Sequence, residues 1–175
     1  DTDFYVPENK KDRLAKAYRN TKGKLVEFYG DNLAIRNNGD PNPFESGGAG
    51  LFSTIDDYSR FAQMLLNGGT YEGKQILTTN SVKYLTSGKL NATQQADLDR
   101  WQGLEGYTYG NLMRVLDDPR QASLIANKGE YGWDGWLGAH FSNDPATNTT
   151  FLMMVQRYDY GTGPLTRKLK NIIFS

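Results

Sequence analysis

The feature that most constrains what this chain can fold into is a change of hydrophobic period at Tyr107. Ahead of it, apolar residues recur at helical spacing; beyond it come short runs rich in aromatic and branched residues. The segments "YTYGNLMRVL" (107–116), "SLIANKG" (123–129), "WLGAHFS" (136–142) and "TTFLMMVQRY" (149–158) read as strands, with "DDPRQ" and "NDPATN" as turn signals. The short link between the third and fourth makes them antiparallel neighbours, and the unbroken apolar run in the fourth calls for a sheet covered on both faces. A closing helix, "GPLTRKLKNIIFS" (163–175), has Pro164 in its first turn and Leu165, Leu169, Ile172 and Ile173 along one side. That side is expected to lie on the sheet.

Three helices are expected before the sheet. In "STIDDYSRFAQMLLNGG" (53–69), Ser53 or Thr54 caps the start, Asp56 and Asp57 suit the first turn, and Ile55, Tyr58, Ala62 and Leu65 form an apolar stripe. Asn67, Gly68 and Gly69 end it. "TTNSVKYLTSG" (78–88), with Val82 and Leu85 inward, and "TQQADLDRW" (93–101) are shorter. Residues 1–50 read as a loose hairpin, "LAKAY" (14–18) and "KLVEFY" (24–29) around Gly23, followed by a loop ending in "FESGGAG". The fold class is α+β, an antiparallel sheet packed with helices. One domain holds an irregular part (1–50), a helical part (51–105) and a part of strands and a last helix (106–175).

Several functions are disfavoured by composition. Twenty basic and twenty acidic residues cancel without a Lys/Arg run, so nucleic acid is not an expected partner. The longest apolar runs are too short for a membrane span, and no signal segment opens the chain. A soluble chain is expected, with the periplasm, the exterior and the cytoplasm all open. No cysteine and a single histidine leave no usual zinc cluster, and no metal or cofactor is expected. The chain begins at Asp1, not Met, which suggests that upstream sequence is missing.

A search for a nucleophile with its base finds no Ser-x-x-Lys and no Gly-x-Ser-x-Gly. The Thr-x-x-Lys matches "TKGK" (21–24) and "TSGK" (86–89) contain glycine and sit in turns. His140 alternates with Trp136 and Gly138 on one strand face and could serve as an acid or base, although a hydrogen-bonded strand histidine is the simpler reading. Asp56 and Asp57 read as partners of the helix dipole. Tyr107, Tyr109, Tyr131, Tyr158 and Tyr160 could line a cleft or pack amphipathically.

The stretch "ESGGAGLFSTIDDYSRFAQMLLNGGTYEGKQIL" (45–77) resembles the serine β-lactamase-related family of class C β-lactamases, D-alanyl-D-alanine peptidases and related carboxylesterases. In that family a Gly-Gly-Gly-Leu-x-Ser-Thr element leads into an Asp-Tyr-x-Arg-Phe helix with a Leu-Leu-Asn-Gly-Gly end. "GWDGWLGAHFSNDP" (132–145) is similar to the family's third motif and the strand after it. Trp133, Asp134 and Gly135 stand where members carry Lys-Thr-Gly, His-x-Gly or Trp-Gly-Gly. "TRKLKNIIFS" resembles the closing helix.

The resemblance covers nearly the whole chain but only the C-terminal part of a member, whose Ser-x-x-Lys and Tyr-x-Asn or Tyr-x-Ser motifs would lie upstream. It implies the C-terminal part of the β-lactamase/transpeptidase-like fold and a serine hydrolase of ester, amide or β-lactam acyl substrates. The isolated chain would be inactive. Trp133, Asp134 and Gly135 would form the substrate-binding wall, and the backbone N–H of Trp136 would be one oxyanion donor. Trp133 in place of lysine, with Asp134 adding a negative charge, tilts the expectation toward neutral acyl substrates. A missing N-terminal half, or self-association, is expected to cover the open side. The alternative is a non-catalytic module of the same fold that binds a peptide or glycan.

Overall fold

The computed structural model describes residues 1–30, 39–41, 43–87, 90–158 and 163–175. A 3₁₀ helix (Glu8–Arg13) precedes a hairpin of β1 (Tyr18–Thr21) and β2 (Lys24–Glu27), which turns on Lys22 and Gly23, both at positive φ. The first strand therefore begins where the sequence reading of 14–18 ended. Helix α1 (Ile55–Leu66) starts at Thr54, whose hydroxyl accepts the Asp57 N–H. Its buried residues are Ala62, Met64 and Leu65; Ile55, expected inside, is exposed because the stripe meets the sheet only from the second turn.

A short hairpin, β3 (Thr70–Tyr71) and β4 (Lys74–Gln75), leads to α2 (Thr79–Thr86), capped by Thr78 and anchored by buried Val82. Helix α3 (Ala92–Leu98) follows a reciprocal Asn91–Gln94 capping box. The four-residue match at 86–89 runs into residues 88 and 89, outside the described set.

Five antiparallel strands then run in sequence order: β5 (Tyr107–Tyr109), β6 (Arg114–Leu116), β7 (Tyr131–Asp134), β8 (His140–Asp144) and β9 (Thr149–Met153). The sequence reading of four strands needs four corrections, the simplest being that the last, expected over 149–158, ends at Met153. Residues 107–116 are a hairpin, not one strand, because the chain reverses between Gly110 and Leu112, the latter at φ 71°. Residues 123–129 form no strand: the Ile125 N–H and the Ser123 carbonyl are both taken by the Asn171 side chain. The strand expected at 136–142 begins only at His140, since 135–139 form a turn.

Both faces of the sheet are covered, as the apolar run in β9 requires. On one face Val115, Tyr131 and Phe141 pack with Ala62, Met64, Leu65 and Val82. Burying each such side chain contributes about 1.5–3 kcal/mol. On the other, Tyr107 and Leu116 pack with Ala122, Ala126 and Phe174.

Helix α4 (Pro164–Ile173) covers this second face, but not with the stripe the sequence suggested. Its buried positions are Thr166 and Lys170, while Leu165, Ile172 and Ile173 are exposed. The physical reason is Glu130, which is buried just before β7 and takes the Lys170 ammonium with both carboxylate oxygens. A buried carboxylate without a cation would cost more than leaving a few aliphatic groups in water.

Candidate active site

The stretch "GWDGWLGAHFSNDP" (132–145) supplies a strand end, a tight turn and a strand. Alternation along β7 sends Tyr131 toward α1 and Asp134 toward α4, while the Trp133 ring at the strand's end lies against Tyr109. Gly132 is where the strands press closest: a Cβ there would sit 2.0 Å from the Phe141 carbonyl oxygen. The last register pair before the turn is Asp134 with His140.

The turn is held from several sides. The Gly135 N–H donates to the Ala139 carbonyl (2.7 Å), and Gly138, at φ 94°, donates to the Gly135 carbonyl (2.9 Å). The Leu137 carbonyl accepts the Arg157 N–H at 2.8 Å. The same segment runs beside β1, with Tyr18 donating to Gln156 (2.8 Å) and Tyr158 donating to Tyr18 (2.7 Å). The Trp136 indole stands edge-on to Tyr158 (4.8 Å) and Phe28 (6.2 Å), which stack on each other at 4.6 Å. Among the described residues, no protein group accepts the Trp136 N–H.

Trp133, Asp134, Gly135 and Trp136 all border one broad cleft of about 1230 Å³, which the hairpin and the Gly47–Thr54 loop also line. Trp133 and Trp136 are 40% and 45% exposed, so their rings offer flat apolar surface to whatever enters. Asp134 behaves differently from its neighbours. Its carboxylate is bound by Arg114 Nη1 at 2.5 Å, with only 10% of the side chain exposed. Burial pushes its carboxyl above the ordinary value, and the Arg114 charge opposes that shift. Asp134 thus borders the cleft without presenting an unpaired charge to it.

His140 sits on the face of α4, 4% exposed, not in a row with Trp136 and Gly138, which belong to the turn. Its Nδ1 lies 2.9 Å from Arg114 Nη2. Burial first, then the Arg114 and Lys170 charges, hold the imidazole well below its usual range. A neutral imidazole tied to an arginine is a structural partner.

The tyrosines divide by environment. Tyr107 and Tyr131 are core residues, Tyr109 meets Trp133 edge-on at 5.4 Å, and Tyr158 supports Trp136; Tyr160 lies outside the described residues. Asp57 sits in the first turn of α1, where its carboxylate accepts the Thr2 hydroxyl and pairs with the Asp1 amino group and Arg60, a structural role. Sequence reasoning missed Arg114, although a lone arginine inside the apolar run "LMRVL" was a visible signal.

Comparison with known proteins decides the family. The family model described as Beta-lactamase matches residues 1–170. The chain belongs to the beta-lactamase family. Protein Rv1367c of Mycobacterium tuberculosis is 30% identical over 162 residues, covering 89% of this chain and 39% of that protein. Esterase EstB of Burkholderia gladioli is 26% identical over 140 residues, covering 78% and 32%. A putative D-alanyl-D-alanine carboxypeptidase of Escherichia coli K12 is 34% identical over 110 residues, covering 62% and 23%.

Among solved structures, EstCE1, a hydrolase with promiscuous acyltransferase activity, superposes with a TM-score of 0.80 at 21% identity, over 99% of this chain and 46% of that one. Simvastatin synthase LovD from Aspergillus terreus gives 0.77 at 17%, over 99% and 46%. These likenesses establish the beta-lactamase fold. The chain spans less than half the length of each of these relatives. Among the described residues no helix is long and apolar enough to cross a membrane.

Proposed function

We propose that these 175 residues are the C-terminal part of a serine acyl hydrolase of the beta-lactamase family, acting on neutral ester or amide substrates. They supply the cleft wall and one of the two oxyanion donors, while the Ser-x-x-Lys nucleophile lies on another part of the protein. The observation that carries this reading is the Trp136 N–H: it has no protein acceptor among the described residues, and the turn that bears it is fixed on both sides at the rim of the cleft. A backbone donor of that kind stabilises a tetrahedral oxyanion without reorganising during the reaction.

Two features favour a neutral substrate. Trp133 offers an apolar plane where a lysine would attract a carboxylate, and Arg114 pairs Asp134, the acidic group of the 133–136 wall. The cleft is larger than the roughly 300–1,000 Å³ of small-molecule sites, which leaves room for a further protein segment beside the substrate. Exposed Leu165, Ile172 and Ile173 on α4 favour a covering partner of the same kind.

The test uses a fluorophosphonate probe and a neutral chromogenic ester on the product of the complete gene and on residues 1–175 alone. Labelling of a Ser-x-x-Lys serine in the first, and none in the second, is expected. Stoichiometric labelling of a serine within 1–175 would sink the proposal. Ester binding by the complete product without turnover or labelling would instead favour a binding module.

A further inference from the structure

Arg114 hydrogen-bonds both legs of the β7–β8 hairpin through one rigid group. Nη1 takes the Asp134 carboxylate at 2.5 Å, and Nη2 meets His140 Nδ1 at 2.9 Å. Those two partners face each other in the register as the last pair before the turn 135–139. The guanidinium is a planar fork, so occupying both of its terminal nitrogens sets the spacing and the tilt of the two legs together. An ammonium has no such plane.

The fork itself is held. Arg114 is 3% exposed and lies on β6, which is paired on both sides by β5 and β7. Its guanidinium carbon is 5.3 Å from the centre of the Tyr107 ring and 6.0 Å from that of Trp133, so an aromatic face restrains its rotation. The hydrogen bonds inside the turn, from Gly135 to Ala139 and from Gly138 to Gly135, fix its shape but not its direction relative to the sheet. Direction comes from the legs on the sheet side, and from the Arg157 N–H on the Leu137 carbonyl on the other.

We propose that Arg114 is the positioning residue of the oxyanion turn: by clasping Asp134 and His140 it fixes where the Trp136 N–H points. This rests on the reading of that N–H as an oxyanion donor. Arg114 also leans on the Trp133 ring, so the same guanidinium links the donor to the apolar wall that receives the substrate. His140 acquires a role by the same geometry. It accepts at Nδ1, and a side chain with an acceptor at that point would serve as well.

The test compares R114M, R114K, H140L and H140N in the product of the complete gene. Amide hydrogen exchange is the first readout. R114M is expected to speed exchange of the hydrogen-bonded Gly135 and Gly138 amides by about tenfold or more, with β8 and β9 protected as in the wild type. The second readout is turnover of a neutral ester. Because an oxyanion donor acts on the transition state, kcat is expected to fall roughly 10–100-fold with KM within about threefold. R114K, left with one partner, falls between R114M and wild type, and H140N recovers most of what H140L loses, because its amide oxygen accepts from Nη2.

Wild-type exchange at the Gly135 and Gly138 amides in both R114M and R114K overturns the clasp whatever the activity. Loss of protection across the whole sheet, with kcat and KM failing together in R114K as well, reduces Arg114 to a structural residue and also overturns it. If the wild-type protein neither hydrolyses the ester nor takes the fluorophosphonate, the oxyanion reading fails, and the exchange contrast still decides the clasp.

Discussion

Arg114 Nη2 lies 2.9 Å from His140 Nδ1, and that contact decides which imidazole nitrogen carries the proton. Arginine only donates, so Nδ1 accepts and the hydrogen sits on Nε2.

A pH dependence follows, and its sign is set by the direction of the shift. The groups around His140 are Arg114 on β6, Asp134 on β7, Lys170 on α4, with Glu130 and Tyr107 beyond Lys170. Burial and the two cations keep the folded imidazole well below the 6.5 of the unfolded chain. The stability tied to neutral His140 is complete above that value. It is lost as pH falls below it, because the unfolded chain takes a proton that the folded one refuses. Relative to H140N, wild-type stability is expected to fall with a slope approaching about 1.4 kcal/mol per pH unit below pH 6.5. Denaturant midpoints of the two proteins from pH 7.5 to 4.5 measure it, and parallel curves would contradict it.

The Glu130–Lys170 pair predicts non-additivity. The two side chains are 1% and 2% exposed, and the Tyr107 hydroxyl is 3.5 Å from the ammonium. Either K170M or E130Q leaves one buried charge without its partner, at an expected cost of about 3–5 kcal/mol. The double variant E130Q/K170M removes both charges and is expected to recover most of that loss. A double-mutant cycle by urea unfolding gives the coupling directly. Losses that simply add would mean the pair does not interact as placed.

Much of this architecture was legible in the sequence, and the parts that were not share a cause. Thr54, Thr78, the end of α1 and the antiparallel β8–β9 pair follow from capping residues and turn signals, which act locally. The buried face of α4 did not follow from its apolar stripe, because Glu130, 40 residues away in sequence, turns Lys170 inward. The 123–129 segment has strand composition, yet its Ile125 N–H and Ser123 carbonyl go to the Asn171 side chain. At the site, the family resemblance pointed to 133–136, and those four residues border one cleft. The fate of the Asp134 charge was not, since it depends on Arg114 across two strands.

Two glycines three residues apart are expected to behave in opposite ways. A Cβ on Gly132 would lie 2.0 Å from the Phe141 carbonyl oxygen, so G132A must part β7 from β8. A loss of about 2–3 kcal/mol or more, and a lower melting temperature, are expected. On Gly135 the nearest atom would be the Ala139 Cβ at 3.7 Å, an ordinary contact, and its φ is not in the left-handed region. The fold therefore has room for G135A, whose stability should stay within about 0.5 kcal/mol of wild type. Any fall in esterase turnover of G135A then reports on substrate approach at the cleft.

The Trp136 N–H is open to a direct test because it makes no protein hydrogen bond among the described residues. Proline at this position removes that donor without breaking an internal bond, and the preceding glycine tolerates the backbone that a following proline demands. In the product of the complete gene, W136P is expected to lower kcat on a neutral ester by about 10²–10³, the usual effect of deleting one oxyanion donor. W136A keeps the N–H and loses the indole packing on Phe28 and Tyr158, so its kcat should fall less than W136P's while its KM rises. Melting temperatures of both variants show whether the turn survives. Equal kcat values for W136P and W136A in folded proteins would place the work of this residue in its ring and remove its N–H from the reaction.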